Sequence, residues 1–183
     1  MINMADILVL KIGGSILSDR ESMNKATNTI KSVLSRGFSV AVVVSAMKGV
    51  TDQLLSEARK KDSNASPATI AEILSTGEMT SARILTEVLN AENISATLVD
   101  PNSTHWPIFT DNDYLDANPR YKDIKNKVEE EIRPLIEKGR VPVICGFLGI
   151  GPSGKITTMG RGGSDTTAVL MGSALGAKEI VLI

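Results

Sequence analysis

Along the chain, short runs of aliphatic and β-branched residues alternate with longer stretches whose apolar positions recur three and four residues apart. Residues 7–12 (ILVLKI) form the first run, and Gly13-Gly14 ends it, which predicts a buried strand feeding a glycine turn. From about residue 21 to 36 the spacing is helical, with Ile30, Val33 and Leu34 on one face and Gly37 placed to close the helix. Residues 38–45 (FSVAVVVS) carry no charge, as expected of a strand covered on both faces in a parallel sheet. Helices are predicted over 51–60 and 67–90, and a third strand over 94–99. Residues 100–121 lack periodicity and hold Pro101, Pro107, Pro119, the single tryptophan and both tyrosines, so they read as a long excursion loop. Beyond it the pattern predicts a charged amphipathic helix over 121–138 ended by Gly139 and a strand over 141–145. A β-hairpin over 147–157, a helix over 164–175 and a last strand over 179–183 complete the series. This alternation predicts an α/β fold, a mostly parallel central sheet sandwiched by helices. A chain that stops inside an apolar strand reads as cut short, and a whole protein ending in a strand is the other possibility.

Composition narrows the chemistry. The 20 basic and 21 acidic residues nearly cancel, which gives no electrostatic reason to expect nucleic acid or an anionic membrane as partner. No apolar run approaches the roughly 18–20 residues that span a bilayer. Asp6 and Lys11 interrupt the apolar amino terminus, so no signal peptide is expected. The one cysteine, Cys145, cannot form an internal disulfide, and a reducing cytoplasm is the expected compartment. With His105 as the only histidine, neither a His-based triad nor a His-rich metal site is expected, and no protein metal site is expected. Chemistry then rests on Lys, Arg, Asp, Glu, hydroxyls and backbone amides.

Four segments carry those groups. Lys11-Ile12-Gly13-Gly14-Ser15 offers a lysine and backbone N–H groups that suit a polyphosphate, although a tight turn with a solvated lysine explains the same letters. It lacks the GxxxxGK[ST] pattern of an ordinary P-loop. Residues 44–52 (VSAMKGVTD) present the Ser45 and Thr51 hydroxyls just past a strand, and Thr51 also suits an N-cap. Gly77 lies within a helical pattern at a cost of about 1 kcal/mol against alanine, which calls for a kink, a break or a close approach. Glu78 beside it can accept hydrogen bonds from an ammonium group, or simply be solvated surface. Residues 157–167 (TTMGRGGSDTT) set Arg161 among three glycines, with Ser164 fitting an N-cap and Asp165 the positive helix end. Capping does not explain Arg161, whose planar fork suits a carboxylate. His105 and Trp106 read as packing for the long loop, and Cys145 as an inert core residue.

Taken in order, the four segments resemble the aspartate kinase branch of the amino acid kinase family over the whole chain. Residues 11–15 resemble that family's KFGGTS loop, with Ile12 and Ser15 as departures. Residues 44–51 resemble its serine loop and Gly77-Glu78 its GE element. Residues 157–167 resemble TTLGRGGSDTTA almost letter for letter. The resemblance implies an amino acid kinase (carbamate kinase-like) fold and transfer of the ATP γ-phosphoryl group to the β-carboxylate of L-aspartate, the step that opens lysine, threonine and methionine biosynthesis. It implies that Lys11, Gly13, Gly14 and Ser15 hold phosphate oxygens and that Lys11 and Asp165 serve the reaction centre. Arg161 would bind a substrate carboxylate, Glu78 the ammonium, and Ser45, Thr51 and Ser164 would complete the pocket. Mg2+ would arrive with the nucleotide. Residues 1–183 would be the amino-acid-binding part. Beyond Ile183 the resemblance implies a Thr-Asp turn, nucleotide loops with a second lysine, and carboxyl-terminal regulatory (ACT) modules. A homo-oligomer of the full-length protein and an inactive 183-residue piece are further expectations. Two rivals are a kinase of the same fold for glutamate or a phosphomonoester, and a non-catalytic small-molecule-binding or assembly module.

Overall fold

A computed structural model describes residues 6–183. The amino-terminal reading that no leader is present rests partly on residues 1–5, which lie outside the described residues. The mainly aliphatic runs become the strands of one sheet: β1 (Ile7–Ile12), β2 (Ser39–Val44), β3 (Ala96–Val99), β4 (Val141–Cys145) and, after a separate two-stranded hairpin of β5 (Leu148–Ile150) and β6 (Ile156–Thr158), β7 (Glu179–Leu182). The order is β3-β4-β2-β1-β7, and every pair is parallel. Val9, Val42, Val44, Ile144 and Cys145 are fully buried, as expected of apolar positions in strands covered on both faces.

Helices α1 (Arg20–Ser35), α2 (Val50–Lys61), α3 (Pro67–Ala91), α4 (Tyr121–Lys127), α5 (Arg133–Glu137) and α6 (Gly163–Leu175) join the strands. Connections running from β1 towards β3 place α1 and α3 on one face. Those running back towards β7 place α5 and α6 on the other. That division is what right-handed crossovers require. Loops after the adjacent strands β2 and β4 therefore leave the sheet to opposite faces, and a crevice opens between them at the carboxyl edge. No helix of the described residues is long and apolar enough to cross a membrane.

Three local findings refine the sequence expectations. The helix predicted over 121–138 is interrupted by a π-helical turn, Val128–Ile132, and the Arg133 amide donates to the Val128 carbonyl five residues back. Pro134 is the physical reason: it lacks an N–H and its ring crowds the preceding turn, so the widened turn accommodates it. The long loop is pinned to the hairpin through single bridges, Phe109 to Ile150 and Asp116 to Met159. Trp106 is buried with its indole N–H on the Ile108 carbonyl, and His105 bonds Glu131, so both pack the loop as expected.

Candidate functional site

The crevice is a cleft of ≈ 560 Å³ whose lining includes Lys11, Ser45, Thr51, Glu78, Arg161, Ser164 and Asp165. Seven candidates drawn from four separate segments thus converge, whereas Gly13, Gly14 and Ser15 are not among its walls.

Lys11 sits one residue before the end of β1, paired in register with Val43 and Leu182. Its ammonium lies 2.9 Å from the Asp165 carboxylate, which projects from the first turn of α6. The Asp165 side chain is 53% exposed, so the pair stands at the cleft wall and not in the core. Beyond β1 the Gly13 amide donates to the Ile183 carbonyl at 2.8 Å, which continues the ladder with β7 and occupies that donor. Gly14 is required sterically, because a Cβ there would lie 2.2 Å from the Ala46 carbonyl oxygen and 2.9 Å from the Lys48 nitrogen. The second glycine of the first loop is thus set by the next loop lying against it.

Both helices that begin at the cleft start differently from expectation. Thr51 does not cap α2, and Ser164 does not cap α6. The caps are Gly49 (φ 80°) and Gly162 (φ 75°), and neither helix receives a side-chain cap. Left-handed glycines reverse the chain within one residue, so each helix starts earlier than a serine or threonine cap would set it. The Ser45, Thr51 and Ser164 hydroxyls form no hydrogen bond among the described residues and stay available to a ligand. The uncapped first turns also point their positive ends at the cleft.

α3 runs unbroken through Gly77, so neither kink nor break is present. The glycine permits a close approach instead, since a Cβ would stand 3.1 Å from the Ala46 Cβ and 3.2 Å from Val50 Cγ1. That approach brings Glu78 under the serine loop, where its Oε1 accepts from the Ala46 amide at 3.4 Å. Glu78 is only 3% exposed, and its Oε2 has no hydrogen-bond partner. Burial pushes its pKa up to about 7, against the smaller lowering by its own amide and that of Ala46. Cys145, behind the cleft at the end of β4, is buried, and desolvation followed by the nearby Asp100 and Glu78 charges holds its thiol well above the usual range. It is an inert core residue, as the sequence suggested.

Arg161 is exposed, lies between Gly160 (φ 66°) and Gly162, and makes no ion pair among the described residues. The sequence reading missed Asp52, Leu55 and Arg59 on α2, Leu115 in the long loop, and Phe147. Thr51, Leu55 and Arg59 recur every four residues, so the α2 face was readable once Thr51 had been placed at a site. Leu115 gave no such signal. Phe147 is a non-glycine residue at φ 68°, a left-handed backbone beside the pocket. No group of three or more His, Cys, Asp or Glu among the described residues can hold a metal ion.

A sequence model described as the Amino acid kinase family matches residues 6–183. The aspartokinase of Thermus thermophilus is 39% identical over 173 residues, covering 94% of this chain and 41% of that protein. Among solved structures, the aspartate kinase from Synechocystis aligns with a TM-score of 0.76 at 32% identity, over 96% of this chain and 28% of that one. Escherichia coli aspartokinase III, solved in complex with aspartate and ADP, shares the fold at a TM-score of 0.83 and 24% identity, over 97% of this chain and 48% of that one. The chain thus spans less than half the length of these relatives.

Proposed function

The chain belongs to the amino acid kinase family, and from that premise we propose that residues 1–183 carry the amino-acid-binding part of an aspartate kinase. The observation behind this reading is the Glu78 carboxylate, buried at the cleft with one oxygen unpartnered. A buried carboxylate in that state favours a cationic partner, because the ammonium of an amino acid would supply both the missing hydrogen bond and the compensating charge. Arg161 on the same cleft offers a two-pronged donor for a carboxylate. An amino acid held between them would leave its second carboxylate to the Ser45, Thr51 and Ser164 hydroxyls and the uncapped helix starts.

The reaction proposed is direct. A β-carboxylate oxygen of L-aspartate bonds to the γ-phosphorus of ATP while the bond from that phosphorus to the bridging oxygen of ADP breaks. The products are 4-phospho-L-aspartate and ADP. No enzyme nucleophile takes part, so the protein contributes alignment and charge neutralisation. Lys11 would face the transferring phosphoryl oxygens, held in place by Asp165. Any phosphate contact from the first loop would come from Lys11, the Gly14 amide and Ser15, because the Gly13 amide is already bonded. The described residues offer Mg2+ no cage, so the ion would enter on the nucleotide phosphates and offset their charge. The regulatory modules, the homo-oligomeric state and the biosynthetic role belong to this same reading.

Calorimetric titration of the full-length protein with L-aspartate and with succinate, which lacks the ammonium, tests the assignment. L-aspartate is expected to bind at least about tenfold more tightly, a difference of about 1.4 kcal/mol. Equal affinities would remove Glu78 from the role. Residues 1–183 alone are expected to turn over ATP far more slowly than the full-length protein. Equal rates would show that the nucleotide site lies within them.

A further inference from the structure

α3 carries six hydroxyl side chains, and five are accounted for: Thr69 pairs with Ser66, and Ser75, Thr76, Thr80 and Thr86 each donate back to a carbonyl three or four residues earlier. Ser81 is the exception. It is fully buried, at 0% exposure, and its Oγ has no partner. The other orphaned polar atom on this helix is Oε2 of Glu78, three residues before it. Residues three apart share a helix face with Cβ atoms about 5–6 Å apart. A helical side chain also leans over the turn on its amino-terminal side, so Ser81 leans towards Glu78.

Two buried groups, one a hydroxyl donor and one an acceptor-only carboxylate, are therefore unsatisfied one helical turn apart. Each costs free energy while unpaired, and each is what the other lacks. We propose that Ser81 is a positioning residue for Glu78, its hydroxyl stabilising the ionised carboxylate through Oε2, by a side-chain rotation or one trapped water, so that the carboxylate is charged and aimed when an ammonium arrives. The ammonium part rests on the aspartate reading given above, whereas the Ser81–Glu78 link does not. The other groups around Glu78 do not duplicate this role. Ala46 donates to Oε1 only. Cys145 on β4 is a thiol held neutral by burial. Asp100 at the end of β3 is paired with Arg83 of α3. On the cleft side Lys11 is paired with Asp165, and Asp52, Arg59 and Arg161 share the cleft without bonding Glu78.

The test reads Glu78 itself. The carbon-13 shift of its carboxyl is followed against pH in the unliganded protein, in Ser81→Ala and in Ser81→Thr. Alanine removes the donor from a helix position it fills well, and threonine keeps the hydroxyl. Losing a hydrogen bond to the charged form raises a carboxyl pKa, so Ser81→Ala is expected to titrate higher than the wild type by about one unit. Ser81→Thr is expected to stay within about 0.3 unit of it. An unchanged or lower midpoint in Ser81→Ala, or an equal rise in Ser81→Thr, overturns the proposal. L-aspartate affinity measured on the same proteins separates the two readings. Failure of the wild type to bind aspartate would sink the substrate assignment and leave the titration result standing.

Discussion

The two charges proposed to recognise the amino acid stand in opposite settings. Glu78 is buried on a continuous 25-residue helix, fixed by the Gly77 contact with the serine loop and short of one hydrogen bond. Arg161 is exposed, sits on a turn with left-handed glycines on either side, and has no partner among the described residues. A carboxylate is costly to desolvate, so its cost is met during folding by the packing around it. A guanidinium is weakly hydrated, keeps its charge and carries a rigid fork, so it can wait in solvent. In the proposed reading the cleft therefore holds a rigid anionic anchor and an adaptable cationic clamp. The same difference separates what a mutation at each will do.

The largest effect is expected at the anchor. Glu78→Gln keeps the shape and removes the charge, and losing a buried charged pair costs roughly 2–5 kcal/mol. L-aspartate affinity should fall about 100-fold, with succinate affinity nearly unchanged. A parallel loss of both ligands would mean that the residue merely supports the fold. The second effect concerns stability. Because the folded pKa of Glu78 lies at about 7 against a usual 4.5, the folded protein binds a proton that the unfolded chain has already released. Stability from this group is therefore greatest below about pH 4.5, falls as pH rises through about 7, and is level above that. The fall is about 3 kcal/mol, and Glu78→Gln should flatten it. Denaturant unfolding at pH 5 and pH 8 decides the point, since equal slopes in both proteins would contradict the burial argument.

At the clamp the expected effect is smaller and confined to the substrate. Arg161→Lys keeps the charge but loses the fork, and kcat/KM for L-aspartate should drop about 30-fold, with nucleotide affinity and unfolding midpoint little changed. A loss confined to the nucleotide would move Arg161 out of the amino-acid pocket. The smallest change is Gly77→Ala. Alanine recovers about 1 kcal/mol of helix propensity, while its Cβ presses on Ala46 and Val50. Net stability should stay within about 1 kcal/mol, yet L-aspartate affinity should fall several-fold as the Ala46 amide is displaced from Glu78. Unaltered affinity would show that the serine loop is not set by this contact.

The sheet was legible because β1, β2 and β4 are dominated by aliphatic residues at consecutive positions, which few arrangements besides a covered parallel sheet can satisfy. The cleft was legible where charge stood out of context, as with Arg161 among glycines. What could not be read depended on contacts distant in sequence. Leu115 reaches the cleft because Phe109 and Asp116 bridge to Ile150 and Met159, and no local pattern encodes that pairing. The π turn arises from Pro134 acting on a phase that the apolar spacing alone leaves undetermined. The helix starts were misplaced because serine and threonine are common caps, and the left-handed glycines before them displaced that preference. The Gly77 cost was visible in the sequence, while its purpose, a neighbour at 3.1 Å, was not.

The missing side chain at Gly14 has a mechanical consequence. With the Ala46 carbonyl oxygen 2.2 Å from where a Cβ would be, and the Lys48 amide bonded to the Gly14 carbonyl, the loops after β1 and β2 are interlocked. Neither can shift without pushing the other, because packed interiors transmit displacement rather than absorb it. An anion drawing in the loop after Lys11 and an amino acid drawing in Ser45 would pull on one stiff body. If both sites are filled as proposed, occupancy at either end would be felt at the other as strain or its relief, without any hinge between them.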